Sequence, residues 1–201
     1  SYQWFRVYVW MDHEYVYTNT GSEVSDPLQN AKIEVTWSEN TMLEQVSSQA
    51  VGGETEEVKA AGLYNGDNFT PWDTLVANGD VTVDDGYIID SNVELIGKLV
   101  ISEEIRGIED YSFNGTNLTS VIFADTIDYI GMLSFASSNL TNVVLSKKLD
   151  QIGDAAFMNT RLTSIVIPKS VTNIYDLVFC GSPLTDIYYE GTQEDWNAIW
   201  K

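Results

Sequence analysis

One histidine and one cysteine in 201 residues bound the chemistry open to this chain. His13 sits among acids between two β-like runs, and a histidine-centred triad would need a nucleophile and an orienting acid converging on it. An exposed turn residue is the simpler reading. Cys180 alone excludes an internal disulfide framework and a cysteine-based metal cluster, and one histidine beside it cannot complete a zinc set. It follows Phe179 at a position where Asn114, Ala136 and Met158 stand in earlier copies of a repeat, so a small, partly buried side chain is expected. Thirty acids make some pair of carboxylates unavoidable, so the two-carboxylate requirement of glycoside hydrolysis selects nothing here. Asp80, Asp84 and Asp85, or Glu54, Glu56 and Glu57, offer oxygen ligands for calcium, yet neither set has the twelve-residue EF-hand spacing. A solvated acidic face is expected there. The residues thus predict no enzyme, no cofactor and no metal site.

Charge narrows the partners further. The formal charge is -20, with 17 acids and 3 bases in residues 1–95 and 13 acids and 7 bases in residues 96–201. Such a field repels nucleic acid and anionic membranes, so neither is an expected partner. A run of about twenty apolar residues, which a membrane-spanning helix needs, does not occur. No basic-then-apolar secretion signal opens the sequence; Ser1 fits a chain from which an initiator methionine or an export leader has been removed.

Without a reactive constellation, the informative feature is the spacing of the apolar residues. Phe113, Phe135, Phe157 and Phe179 fall 22 apart, as do Leu118, Leu140, Leu162 and Leu184, and Ile108, Ile130, Ile152 and Ile174. A 22-residue unit cannot bury an apolar face alone, so successive copies must stack and share one elongated core. Within a unit, Val143 and Leu145 alternate as a very short strand, recurring as Leu99/Ile101, Val121/Phe123, Ile165/Ile167 and Ile187/Tyr189. Stacked in register, these make a narrow parallel sheet. The phenylalanines should form an aromatic ladder, each buried ring contributing roughly 1.5–3 kcal/mol. Position 153 is Gly in two copies but Glu109 and Tyr175 in others, so a positive φ is not required there. Asn159 and Thr160, with Asn117, Asn139, Gly181 and Ser182, supply the turn into the next leucine.

The end of the array also reads directly. Trp196 lies 22 after Ile174, and Thr192 precedes Glu194 and Asp195, which predicts a capped helix over residues 193–200. Trp196 and Ile199 would close the stack. Residues 1–95 carry no echo of the repeat. Residues 5–10 and 14–18 read as a hairpin, 32–37 as a third strand, 38–57 as loop, and 57–64 and 81–89 as further strands, the last a hairpin around Asp85 and Gly86. Asn68, Asn114, Asn117 and Asn139 open Asn-x-Thr triplets, most simply turn residues.

The repeat resembles the BspA-like leucine-rich repeats of bacterial surface proteins, whose units run Leu-Thr-Ser-Ile-x-Ile-Pro-x-Ser-Val-Thr-x-Ile-Gly-x-x-Ala-Phe. Leu162, Thr163, Ser164, Ile165, Ile167, Pro168, Ser170, Val171, Thr172 and Ile174 carry the first part, and Ile152, Gly153, Ala156 and Phe157 the second. The resemblance covers residues 96–201. It implies adhesion or protein binding outside the cell, with no catalytic residues to transfer. The opening also resembles short β modules of fibre and appendage proteins from bacteriophages of gut bacteria, through Tyr8, Trp10, Tyr15, Tyr17, Asp26 and Pro27.

Together these give an α/β, mostly β, solenoid at 96–201: leucine-rich repeats of 22 residues with short parallel strands and a terminal capping helix. A small β-rich attachment or oligomerisation domain at 1–95 precedes it. Ile122, Val144, Val166 and Tyr188 line up as an outward apolar stripe, the expected binding face. Trp4, Tyr8, Trp10, Tyr15, Tyr17 and Trp37 exceed what a thin β domain buries, and are expected to dock the chain to an assembly or to copies of itself. The expected role is a protein-binding or adhesion module on a bacterial surface, meeting a protein, a host receptor or a glycan. A structural or decoration protein of a virion is the alternative.

Overall fold

The structure, a computed structural model, describes residues 60–199 together with the strands β1 (Phe5–Tyr8) and β2 (Glu34–Trp37). The alternation of apolar residues after each repeat leucine produces one column of strands, β7 (Ile96–Val100), β9 (Asn117–Ile122), β11 (Asn142–Val144), β13 (Ser164–Ile167) and β15 (Asp186–Tyr189), divided into two hydrogen-bonded sheets between β11 and β13. Parallel pairing joins residues 22 apart, Val121 with Val143 and Ile165 with Ile187. A second parallel column, β8 (Gly107–Ile108), β10 (Tyr129–Ile130), β12 (Gln151–Ile152) and β14 (Asn173–Ile174), runs along another side of the coil. The chain is therefore a β-solenoid with parallel strands in 22-residue turns and little helix.

The third side carries the phenylalanines. Phe113, Phe135 and Phe157 are fully buried, and with Phe179 they stack nearly parallel at centroid separations of 5.0, 5.5 and 6.0 Å. Phe179 is only half-buried, because no later ring covers it. Here each coil has left-handed backbone at two positions, Tyr111, Leu133, Ala155 and Leu177, and then Gly115, Ser137, Asn159 and Gly181. This turns alternate N–H groups toward the next coil. Those of Leu133, Phe135 and Ser137 donate to the carbonyls of Asp154, Ala156 and Met158 at 2.8–2.9 Å, so the buried turn leaves these backbone donors satisfied. Asn117 and Asn139 therefore do not make the turn; they lie two residues beyond the left-handed position, and the Asn139 amide donates to Asn117 Oδ1 at 3.0 Å. Gly131 and Gly153 have no positive φ. They are small because a Cβ on either would stand 2.6–2.7 Å from backbone of the preceding coil.

Residues 62–91 extend both columns without a break. Strands β3 (Gly62–Asn65) and β4 (Asn68–Pro71) add antiparallel to β7, while β5 (Val81–Asp84) and β6 (Tyr87–Ser91) form a hairpin whose β6 pairs parallel to β8. The hairpin turns at Asp85 and Gly86, both with positive φ, as expected for an Asp-Gly turn. Between these hairpins lies α1 (Trp72–Asn78), which the sequence reading did not anticipate. Its signals are local: Pro71 at the start, Asp73 in the first turn, and left-handed Gly79 at the end. Trp72 and Leu75 enter the core, and Trp72 Nε1 donates to Glu104 at 2.6 Å, so α1 closes the first coil.

The last coil is closed by α2 (Gln193–Ile199). Trp196 is buried against Tyr189, ring centroids 5.3 Å apart, and Ile199 packs half-buried on the core. Thr192 and Asp195 form a reciprocal capping box: Asp195 N–H donates to Thr192 Oγ1 at 3.1 Å, and Thr192 N–H to Asp195 Oδ2 at 2.9 Å. The Thr192 hydrogen bonds, backbone first, hold the Asp195 carboxyl below its ordinary value. A depressed carboxyl adds stability above its unfolded pKa and loses it as pH falls through the folded pKa, so the cap weakens in acid. Thr192→Ala should cost about 1 kcal/mol at neutral pH and flatten this acid dependence, measured by thermal melts at pH 7 and pH 3.

The amino-terminal hairpin expected between residues 5–10 and 14–18 is corrected for its first strand. Both edges of β1 are occupied, one by β15 and the other by β2, with Phe5 opposite Tyr189 and Trp37. Antiparallel β1 thereby covers the last open edge of the first column, protecting an edge that would otherwise template association. Residues 14–18 and 38–57 lie outside the described residues.

Candidate functional site

Pairing register places the outward residues of the first column. Val100 is opposite Ile122, Ile122 opposite Val144, and Val166 opposite Tyr188. Ile122, Val144, Val166 and Tyr188 are half-buried, whereas Val121, Val143, Ile165 and Ile187 on the reverse face are buried. The register thus joins the outward residues in two pairs, Ile122 with Val144 in one sheet and Val166 with Tyr188 in the next. Sequence reading missed the amino-terminal end of the stripe: Phe69 on β4 is 42 % exposed, and its ring lies over Gly62, whose partner is Val100. The tight approach appears only when β3 and β4 are known to join β7, which repeat spacing does not reveal.

Polar rows border the stripe. On one side run Ser120, Asn142, Ser164 and Asp186, then the exposed threonines 119, 141, 163 and 185. Thr141 Oγ1 donates to the Thr119 carbonyl and Thr185 Oγ1 to that of Thr163, both at 3.1 Å, so each hydroxyl fastens its coil to the one before. On the other side the turns carry Asp125, Lys147 and Glu190. Lys147 N–H donates to Asp125 at 3.0 Å. Burial pushes the Glu190 carboxyl up, opposed by Lys147 and Lys169. Lys147 and Lys169 thus offset Asp125 and Glu190 along this edge, which lowers its repulsion of an acidic partner.

Of the expected docking aromatics, Tyr8 and Trp37 stand on β1 and β2, opposite Asp186 and Phe5 respectively. Trp4, Trp10, Tyr15 and Tyr17 lie outside the described residues, as does His13. Cys180 is half-buried, in line with a packing role. Among the described residues no group of three or more His, Cys, Asp or Glu is placed to hold a metal ion, and no helix is long and apolar enough to cross a membrane. Two buried hydroxyls tie backbone together: Ser112 Oγ donates to the Ile88 carbonyl at 2.8 Å, and Ser182 Oγ to that of Phe157 at 2.9 Å.

A parallel-stranded coil of short leucine-marked repeats, capped by a helix at each end, defines a leucine-rich-repeat solenoid. Residues 91–198 match the family described as BspA type leucine rich repeat region, in six copies. The chain belongs to that family. Among solved structures, it resembles the crystal structure of a leucine rich cell surface protein from Faecalibacterium prausnitzii A2-165, at 23% identity and a TM-score of 0.50. The match covers 56% of this chain and 37% of that one, so the chain spans little more than a third of that protein, and the likeness is one of fold. No curated protein matches the sequence.

Proposed function

We propose that this chain is a non-enzymatic adhesion module displayed outside a bacterial cell, with its first strand column turned to a protein partner. The single observation that carries the reading is register. Ile122 pairs with Val144 and Val166 with Tyr188, so in both sheets of the first column an outward, half-buried apolar residue stands opposite another in the next coil. A β-solenoid needs apolar residues only on its inner face, so outward apolar pairs have a use beyond the fold. Membership of a repeat family named for a surface protein type and likeness to a leucine rich cell surface protein support display outside the cell. The amino-terminal aromatics would anchor the chain or join copies of it.

Beads coated with the chain should adhere to epithelial cells or to immobilised extracellular-matrix proteins. Val144→Glu with Val166→Glu should reduce adhesion at least tenfold, about 1.4 kcal/mol or more, with an unchanged melting temperature. Adhesion that survives this change, or its absence from the parent chain, would rule the reading out.

A further inference from the structure

The first strand column is interrupted between two coils that the other two sides of the solenoid hold together. Asn142 on β11 and Ser164 on β13 are 22 residues apart, as are the paired Ser120 and Asn142, and Ser164 and Asp186, yet β11 and β13 belong to different hydrogen-bonded sheets. Bonds that recur at the neighbouring junctions fail here together. Phe123 N–H donates to the Val144 carbonyl at 2.9 Å, but among the described residues Leu145 N–H, its successor, makes no such bond to Val166. Thr141 and Thr185 each donate to the threonine carbonyl one coil earlier, through the backbone N–H at 2.9 Å and through Oγ1 at 3.1 Å. Thr163 makes neither bond to Thr141.

The sequence changes at the same place. Before the repeat leucines stand Asn117, Asn139, Arg161 and Pro183, and the side-chain bond from Asn139 to Asn117 has no continuation at the exposed Arg161. The backbone is displaced there as well. Asn139 N–H donates to the Thr116 carbonyl, whereas Arg161 N–H donates to that of Leu140 at 2.9 Å, two residues beyond the equivalent Ser138. The chain therefore enters β13 out of step with β11. Across the same two coils the second column stays paired, Gln151 with Asn173 and Ile152 with Ile174. On the third side the N–H groups of Ala155, Phe157 and Asn159 donate to the Asp176, Val178 and Cys180 carbonyls at 2.8–2.9 Å, and Phe157 stacks on Phe179.

We propose that the seam between β11 and β13 is a hinge, at which the first column parts and closes while the second column and the phenylalanine ladder hold the two coils together. A pair of coils fastened on two sides opens on the third, and a junction crossed by few backbone hydrogen bonds opens at low cost. The motion changes the angle between the two halves of the first column, one carrying Ile122 and Val144 and the other Val166 and Tyr188. A partner that touches both pairs would fix that angle. The hinge belongs to the free chain, so its failure leaves the adhesion reading standing and its success does not establish it.

Two measurements on the whole chain test it. By residue-resolved hydrogen exchange, the amides of Leu145 and Thr163 should exchange about a hundredfold faster than their counterparts Phe123 and Thr185, while those of Phe157 and Asn159, which bridge the same two coils, stay as protected as those of Phe135 and Ser137. Exchange alone does not separate a moving seam from a static gap. In a Cys180→Ala background, nitroxide labels at Asn142→Cys and Asp186→Cys, two strands apart across the seam, should give a broader distance distribution by electron paramagnetic resonance than labels at Lys98→Cys and Asn142→Cys, two strands apart within one sheet. Equal protection of Leu145 and Phe123 and of Thr163 and Thr185, or equal widths for the two label pairs, overturns the hinge. The exchange measurement uses the unsubstituted chain, so a label that disturbs folding does not shield the proposal.

Discussion

Phe135→Ala should lower the stability of the chain by about 3–5 kcal/mol, the largest loss expected from any single truncation. Phe135 is fully buried between Phe113 at 5.0 Å and Phe157 at 5.5 Å, and Phe123 meets it edge-on at 5.5 Å. Removing the ring opens a cavity that the neighbours cannot fill. Their backbones are fixed by the N–H groups of Phe113 and Phe135, which donate to the Ser134 and Ala156 carbonyls. At roughly 2–4 °C per kcal/mol for a chain of this size, the melting temperature should fall by roughly 10 °C.

The position in the stack matters as much as the ring. In a solenoid each coil is stabilised by its own contacts and by two interfaces, so a mid-array lesion weakens both interfaces of one coil. Phe135→Ala should therefore broaden the urea transition and reduce its slope as well as its midpoint. Phe179→Ala touches one interface and removes a half-buried ring, so its cost should be nearer 1–2 kcal/mol with the slope preserved. Equal losses for the two substitutions would mean that the rings are independent core residues and not a coupled ladder.

The repeated part of this architecture was legible because a 22-residue period is also a pairing register: residues equal in sequence phase become neighbours in space. That is why the ladder of Phe113, Phe135, Phe157 and Phe179 and the pairings of Ile122 with Val144 and of Val166 with Tyr188 could be read from spacing alone. Where phase ends, so does legibility. α1 contains a single turn's worth of buried residues, Trp72 and Leu75, too few for a 3.6-residue period to show. Local alternation marks β1 as a strand, but its partner β15 lies some 180 residues away by chain number, and local pattern does not specify a partner at that distance. Left-handed backbone at Leu133 and Leu177 was equally hidden, since leucine is a residue whose Cβ disfavours it. Tertiary hydrogen bonds to the next coil hold it there.

Gly97→Ala should cost about 3 kcal/mol, through two additive causes at the seam between the amino-terminal cap and the repeats. Gly97 has φ +113, a conformation L residues rarely adopt, which carries about 1–3 kcal/mol of backbone strain. A Cβ there would also stand 2.2 Å from the Tyr64 carbonyl oxygen and 3.1 Å from its carbon, and overpacking against fixed backbone adds about 1–3 kcal/mol. The site is a register shift: β7 pairs parallel to β9 with an irregularity between Gly97 and Lys98, where Lys98 also faces Tyr64 on antiparallel β3. The damage should consequently be local. Hydrogen exchange should accelerate in β3, β4 and α1, while amides of the Phe135 and Phe157 coils keep their protection, because the cap can separate from an array that remains closed at its other end. Uniform acceleration along the whole chain would show instead that cap and array unfold as one unit, and that the seam at Gly97 transmits stability through every coil.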